Sequence, residues 1–100
     1  MKNISVNGIN YEVIKDYNDA IDMEELSSKL TDYFYEFDYI VGDWSYSKLR
    51  LKGFYNDDNK KSSAINKFSN LEDYINNYCS YGCKYFVLCK KDWNIFFTLI

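Results

Sequence analysis

The stretch Asp38–Tyr55, DYIVGDWSYSKLRLKGFY, decides how this chain folds. It reads as two strands joined near Ser45-Tyr46-Ser47. Side chains alternate along a strand, so Ile40, Gly42 and Trp44 share one side of the first strand, and Leu49, Leu51 and Gly53 one side of the second. With those sets turned to a core, the opposite face collects Tyr39, Val41, Asp43, Lys48, Arg50 and Lys52. Parity within each strand is firm. Pairing across the turn is less so, because Ser-Tyr-Ser is not a preferred hairpin sequence. Gly42 and Gly53 stand isolated inside strands, where glycine marks a bulge or close packing against a bulky neighbour such as Trp44.

Toward the N-terminus, Ile4 and Val6, then Ile9, Tyr11 and Val13, alternate with polar residues on either side of Asn7-Gly8. Both turn residues accept the positive φ of a type I′ turn, so a β-hairpin over about Lys2–Lys15 is expected. Between the hairpins, Met23, Leu26, Leu30, Tyr33, Phe34 and Phe37 form one apolar helical stripe. Asp22 with Glu25 resembles a capping box at its start. Glu24, Glu25, Lys29, Asp32 and Glu36 then fall on the solvated side.

Toward the C-terminus, Asn56–Lys61 is a turn with a polar run. Its spacing fails the calcium-loop pattern, with no glycine at the sixth place and no glutamate at the twelfth. Ser62–Phe68 reads as a short strand or an irregular connection. Ser69 with Glu72 forms a capping box for a second helix whose stripe is Leu71, Tyr74, Ile75, Tyr78 and Cys79, with Gly82 placed to cap its end. Tyr85–Leu88 reads as a buried strand, Asp92–Asn94 as a turn and Ile95–Ile100 as a last strand. The order ββαββ(β)αββ, built of hairpins, gives a single α+β domain over residues 1–100: an antiparallel sheet with two helices packed on it.

At 100 residues and a formal charge of −3, the chain is repelled by nucleic acid and anionic lipid unless its cations are segregated onto one face. No apolar run approaches membrane-spanning length, the N-terminus lacks the apolar core of a signal peptide, and three cysteines make no disulfide framework. These features predict a cytoplasmic protein with reduced thiols. Histidine is absent, which removes the commonest general base, the commonest metal ligand and every nucleophile–histidine pair. Aromatic residues reach 20%, and tyrosine, apolar in body and polar at its tip, serves core, surface and interface alike.

Four features of the sequence are candidate sites. Lys48, Arg50 and Lys52 project from one side of a strand about 6–7 Å apart. With Tyr39 or Phe54 as a stacking ring they could meet the phosphates of RNA or another anionic ligand. The structural alternative is the wet face of an antiparallel strand, with Asp43 neutralising Lys48 across the hairpin. Cys79, Cys83 and Cys89 fall short of the four ligands of a structural zinc and lack the C-x-x-C spacing of a redox pair, so packing is the expected role and no cofactor or metal is implied. Asp38 and Asp43 lie on opposite faces of their strand and cannot act as an acid/base pair. The run Ile95–Ile100, apolar on both faces, suits either a central strand or an edge seeking a partner, which raises a homodimer.

The string YIVGDWSYSKLRLKGFY, the following DD, a helix ending in DYINNYCSYGC and then YFVL together resemble the YutD-like family of small bacterial proteins, over roughly Tyr11 to Leu88. The resemblance implies a cytosolic single-domain α+β protein. That family has no assigned biochemical activity, so no catalytic residue carries over. The apolar ending NIFFTLI departs from the polar tail more usual there. The expectation is a non-enzymatic binding module using the basic and aromatic hairpin face, with Tyr39, Lys48, Arg50, Lys52 and Phe54 as its surface. The alternative is an oligomerisation or protein-interaction module built on the C-terminal strand.

Overall fold

The computed structural model describes residues 2–78 and 84–91. Its strands are β1 (Asn3–Val6), β2 (Ile9–Tyr17), β3 (Tyr39–Ser45), β4 (Lys48–Phe54) and β5 (Tyr85–Lys90), and its helices are α1 (Met23–Lys29) and α2 (Leu71–Tyr78). They form a five-stranded sheet in the order β1-β2-β5-β3-β4, with every neighbouring pair antiparallel. The last described strand therefore lies in the middle, holding the two hairpins together. Leu88, for example, sits between Val13 and Ile40.

Both hairpins close through two residues with positive φ. At Asn7-Gly8 the angles are 53° and 84°, and asparagine and glycine tolerate that region well. The second turn is narrower than the sequence implied, since Ser45 pairs directly with Lys48. It leaves Tyr46 and Ser47 at φ 52° and 62°. The expected parity holds: Ile40 faces Gly53, Gly42 faces Leu51 and Trp44 faces Leu49.

One face of the sheet packs on α1. Tyr11, Leu26, Leu30, Ile40, Phe86 and Leu88 are fully buried there, each such side chain worth about 1.5–3 kcal/mol of transfer free energy. Asp22 caps α1, its carboxylate accepting from the Glu24 and Glu25 amides at 3.1 and 3.2 Å. The helix is shorter than its stripe: it stops at Lys29, and the chain resumes as a 3₁₀ turn over Asp32–Phe34. A tertiary contact ends it. Asn7, in the first hairpin turn, donates its side-chain amide to the carbonyls of Ser27 (3.0 Å) and Leu30 (2.9 Å), groups that otherwise have no helical partner. Phe34 and Phe37 stay in register with the stripe because they pack on the same core.

The other face is not left to water. Val41, Phe54, Leu71 and Val87 form a second buried cluster under α2, joined by Tyr39, Tyr74, Ile75 and Tyr85. Tyr85–Leu88 is a continuous apolar run because β5 is covered on both sides: Phe86 and Leu88 look toward α1, Val87 toward α2. Ser62–Phe68 is irregular, with a single parallel bridge between Tyr55 and Lys67. The final strand expected over Ile95–Ile100 lies outside the described residues.

Gly42 and Gly53 are set by close approach, and the bulky neighbours are rings from elsewhere in the chain, not Trp44. A side-chain carbon at Gly42 would overlap the ring of Phe86, and one at Gly53 the ring of Phe37. Gly42→Ala is expected to destabilise the fold by about 1–3 kcal/mol, the usual cost of overpacking. Combining it with Phe86→Leu should recover part of that loss. Urea denaturation of the single and double variants measures both, and an unchanged midpoint for Gly42→Ala would refute the account.

Candidate binding surface beside the second hairpin

β4 pairs with β3 and, among the described residues, with no other strand. The cation stripe thus runs along a sheet edge, where charged side chains discourage unwanted strand pairing. Register corrects one expected contact. Asp43 stands opposite Arg50, and Lys48 opposite Ser45. Asp43 is 3% exposed and accepts a charge-assisted hydrogen bond from Arg50 at 2.5 Å, while the arginine side chain keeps 45% exposure. That bond holds the guanidinium's pKa above its ordinary value. Arg50 is therefore engaged in neutralising a buried carboxylate, a duty that competes with ligand binding.

The two rings expected to stack on bases are placed otherwise. Phe54 is fully buried in the second core and offers no face to a ligand. Tyr39 stacks on Phe68 with ring centroids 4.2 Å apart, and burial pushes its phenol pKa up. Lys52 is half-buried, its ammonium 5.4 Å from the Phe54 ring centre and 5.7 Å from that of Tyr74, within cation–π range. Lys48 is exposed. The structure thus keeps three cations on one side of β4 and withdraws the aromatic rings meant to accompany them.

Two hollows flank α2. One, of about 520 Å³, opens beside β4 and is lined by Lys52, Ala64, Ile65, Asn70, Asp73, Tyr74 and Asn77. The other, about 310 Å³, lies toward β2 and is more apolar, with Ile14, Phe68, Leu71, Ile75, Tyr85 and Val87 on its walls. Ile65 is 75% exposed at the rim of the first. Sequence reading missed this groove because Ser62–Phe68 shows no period. Its one signal was a lone isoleucine in a polar run.

The loop before α2 is fixed by acids. Asp57 accepts from the Ser69 amide at 2.9 Å, so the expected Ser69–Glu72 capping box gives way to a cap supplied from the β4 side: Ser69 lies inside a 3₁₀ turn, Phe68–Asn70, that leads into α2. Asp38 accepts from the Asn56 amide (2.8 Å) and the Asn59 side chain (3.2 Å). Lys61 reaches Glu36 at 2.6 Å. Glu36 also bonds the buried Tyr55 hydroxyl, and that phenol is pushed up to about 12, by burial first and the carboxylate second.

Among the described residues no group of three or more Asp, Glu, Cys or His side chains is placed to hold a metal ion. Cys89 is half-buried, and desolvation pushes its thiol up, away from the reactive thiolate. Cys79 and Cys83 lie outside the described residues. No helix among the described residues is long and apolar enough to cross a membrane.

The family described as "Putative antitoxin YutD-like" matches residues 5–89. The chain belongs to the YutD-like family. A Bacillus subtilis (strain 168) protein described as "Putative antitoxin YutD" is 41% identical over 85 residues, which make up 85% of this chain and 93% of the relative. The solution NMR structure of protein yutD from B. subtilis superposes with a TM-score of 0.74 at 38% identity, covering 91% of this chain and 83% of that one. The expected family and α+β fold are thereby shown. Within this YutD-like domain, Asp57 connects the hairpin to the helix that roofs it.

The Asp57 cap carries a pH signature. The Ser69 amide holds this carboxyl below its ordinary value of 3.8, so its contribution to stability is complete above the unfolded value and fades as pH falls through the lower folded one. Asp57→Ala should lower the thermal midpoint at pH 7, with the gap to wild type closing as the pH drops below 3.8. A gap independent of pH in calorimetric scans would contradict the capping role.

Proposed function

We propose that this YutD-like chain is a non-enzymatic binding protein whose partner is another protein, held along the β4 side of the sheet. The observation that carries the reading is the groove beside β4, where the exposed Ile65 and the cation Lys52 flank a hollow of about 520 Å³ at an edge strand. An apolar anchor beside mixed charge suits a polypeptide segment bearing carboxylates, which Lys48 and Lys52 would meet. The description "putative antitoxin" given to the family agrees in kind, since it suggests a partner on which the protein acts. RNA is the weaker candidate: Phe54 is buried and Tyr39 is stacked on Phe68, so neither of the two rings on the cation-bearing face of β3 and β4 is free for base stacking.

Immobilised protein incubated with native lysate distinguishes the two. The expected result is a discrete protein retained equally before and after nuclease. Its retention should fall at least tenfold, about 1.4 kcal/mol, for the variant Lys48→Ser/Lys52→Ser/Ile65→Ser. Retention that disappears with nuclease would restore the RNA reading, and retention unaffected by the triple substitution would move the surface elsewhere.

A further inference from the structure

We infer that Tyr46, at the tip of the β3–β4 hairpin, is an anchor that inserts into an apolar pocket of the protein partner, a pocket rimmed by carboxylates that meet Lys48. The inference rests on the protein-binding reading above and assigns it a second contact point.

The argument begins with what the tip costs the fold. Among the described residues, five that are not glycine have positive φ: Asn7, Asn18, Asp19, Tyr46 and Ser47. Three are asparagine or aspartate, whose short polar side chains tolerate that region, whereas a bulky residue there is a genuine outlier. The same chain closes its other two-residue hairpin with Asn7-Gly8, the sequence this turn geometry prefers. At Tyr46-Ser47 the two-residue turn demands the same positive φ, yet the preferred residues are absent, so the choice of residues has no reason in the turn itself and points to function.

The ring itself confirms that packing does not explain the choice. Tyr46 is 98% exposed. The other exposed aromatics lean on neighbours: Tyr17 stacks on Tyr85, Phe68 on Tyr39, and Tyr33 meets Phe34 and Phe37 edge-on. Tyr46 has no ring contact of this kind among the described residues. A tyrosine offers a large amphipathic surface with few torsions to freeze, which is why such residues recur as interface anchors.

The base of the tip is rigid. Trp44 donates its indole N–H to the Ala20 carbonyl at 2.7 Å, tying the hairpin end to the β2–α1 loop, and the Lys84 ammonium lies 5.2 Å from its ring centre. A projecting ring on a pinned platform loses little freedom when it binds. Lys48, exposed at the foot of the turn, supplies the adjacent charge.

The test replaces the turn by the sequence its geometry favours. The double variant Tyr46→Asn/Ser47→Gly should raise the thermal midpoint by about 4–8 °C, the scale for relief of local strain in a domain of this size. It should also retain the nuclease-resistant protein at least tenfold less than wild type does, while Tyr46→Phe keeps most of the retention. p-Benzoylphenylalanine at position 46 should give a photo-adduct with that protein on a peptide containing Asp or Glu, and the same probe at Glu24 should not. Wild type retaining no nuclease-resistant protein overturns the protein-binding reading and this inference together. Equal retention by wild type and the double variant, a midpoint that does not rise, or no adduct from position 46 overturns this inference alone.

Discussion

The ring of Phe86 lies where a side chain at position 42 would have to be, and the ring of Phe37 does the same over position 53. These two ring-on-backbone contacts let an aromatic-rich core close at normal strand spacing. Phe86 belongs to the central strand and Gly42 to the strand beside it, so the contact fixes which residues of β3 and β5 stand opposite each other. Once that pairing is set, Ile40 and Leu88 meet on the α1 side, and Val41 and Val87 on the α2 side. Both cores follow from one register.

Local chemistry was readable in the sequence where it acts alone. Asn7-Gly8 announced its hairpin, the parity of Ile40/Gly42/Trp44 against Leu49/Leu51/Gly53 was legible from alternation, and Tyr85–Leu88 showed the unbroken apolar run of a strand covered on both sides. Features decided by distant partners were hidden. The end of α1 depends on Asn7, some twenty residues away in the chain. The 3₁₀ turn that leads into α2 is held by Asp57, which accepts from the Ser69 amide, and Ser69 sits inside that turn rather than at the head of the helix. The second core beneath α2 could not be foreseen from β4, whose alternation of cations with leucines reads as a half-wet strand. The sequence is silent on strand order, because any of several neighbours satisfies an apolar strand.

The cation stripe illustrates how a motif changes meaning in three dimensions. On paper Lys48, Arg50 and Lys52 form a uniform ladder. In the structure each has a different situation: Lys48 is exposed, Arg50 compensates the buried charge of Asp43, and Lys52 lies across two aromatic faces. All three also lie along the edge strand of the described sheet, where charge discourages indiscriminate pairing. Edge protection and partner recognition are compatible, since like charges that repel a stray strand also select a partner with carboxylates.

Placing β5 between the two hairpins has a consequence for biosynthesis. Synthesis runs from the N-terminus, so both hairpins emerge before the strand that joins them. Until residues 85–90 arrive, β2 and β3 each present an unpaired edge and an uncovered apolar face, a state that invites association with other chains. Sheet closure must then proceed through contacts distant in sequence, such as Tyr11 with Lys90, which slows folding relative to a simple meander of the same length. In a crowded cell the nascent chain therefore passes through an interval in which its own β5 is what it most needs and does not yet have.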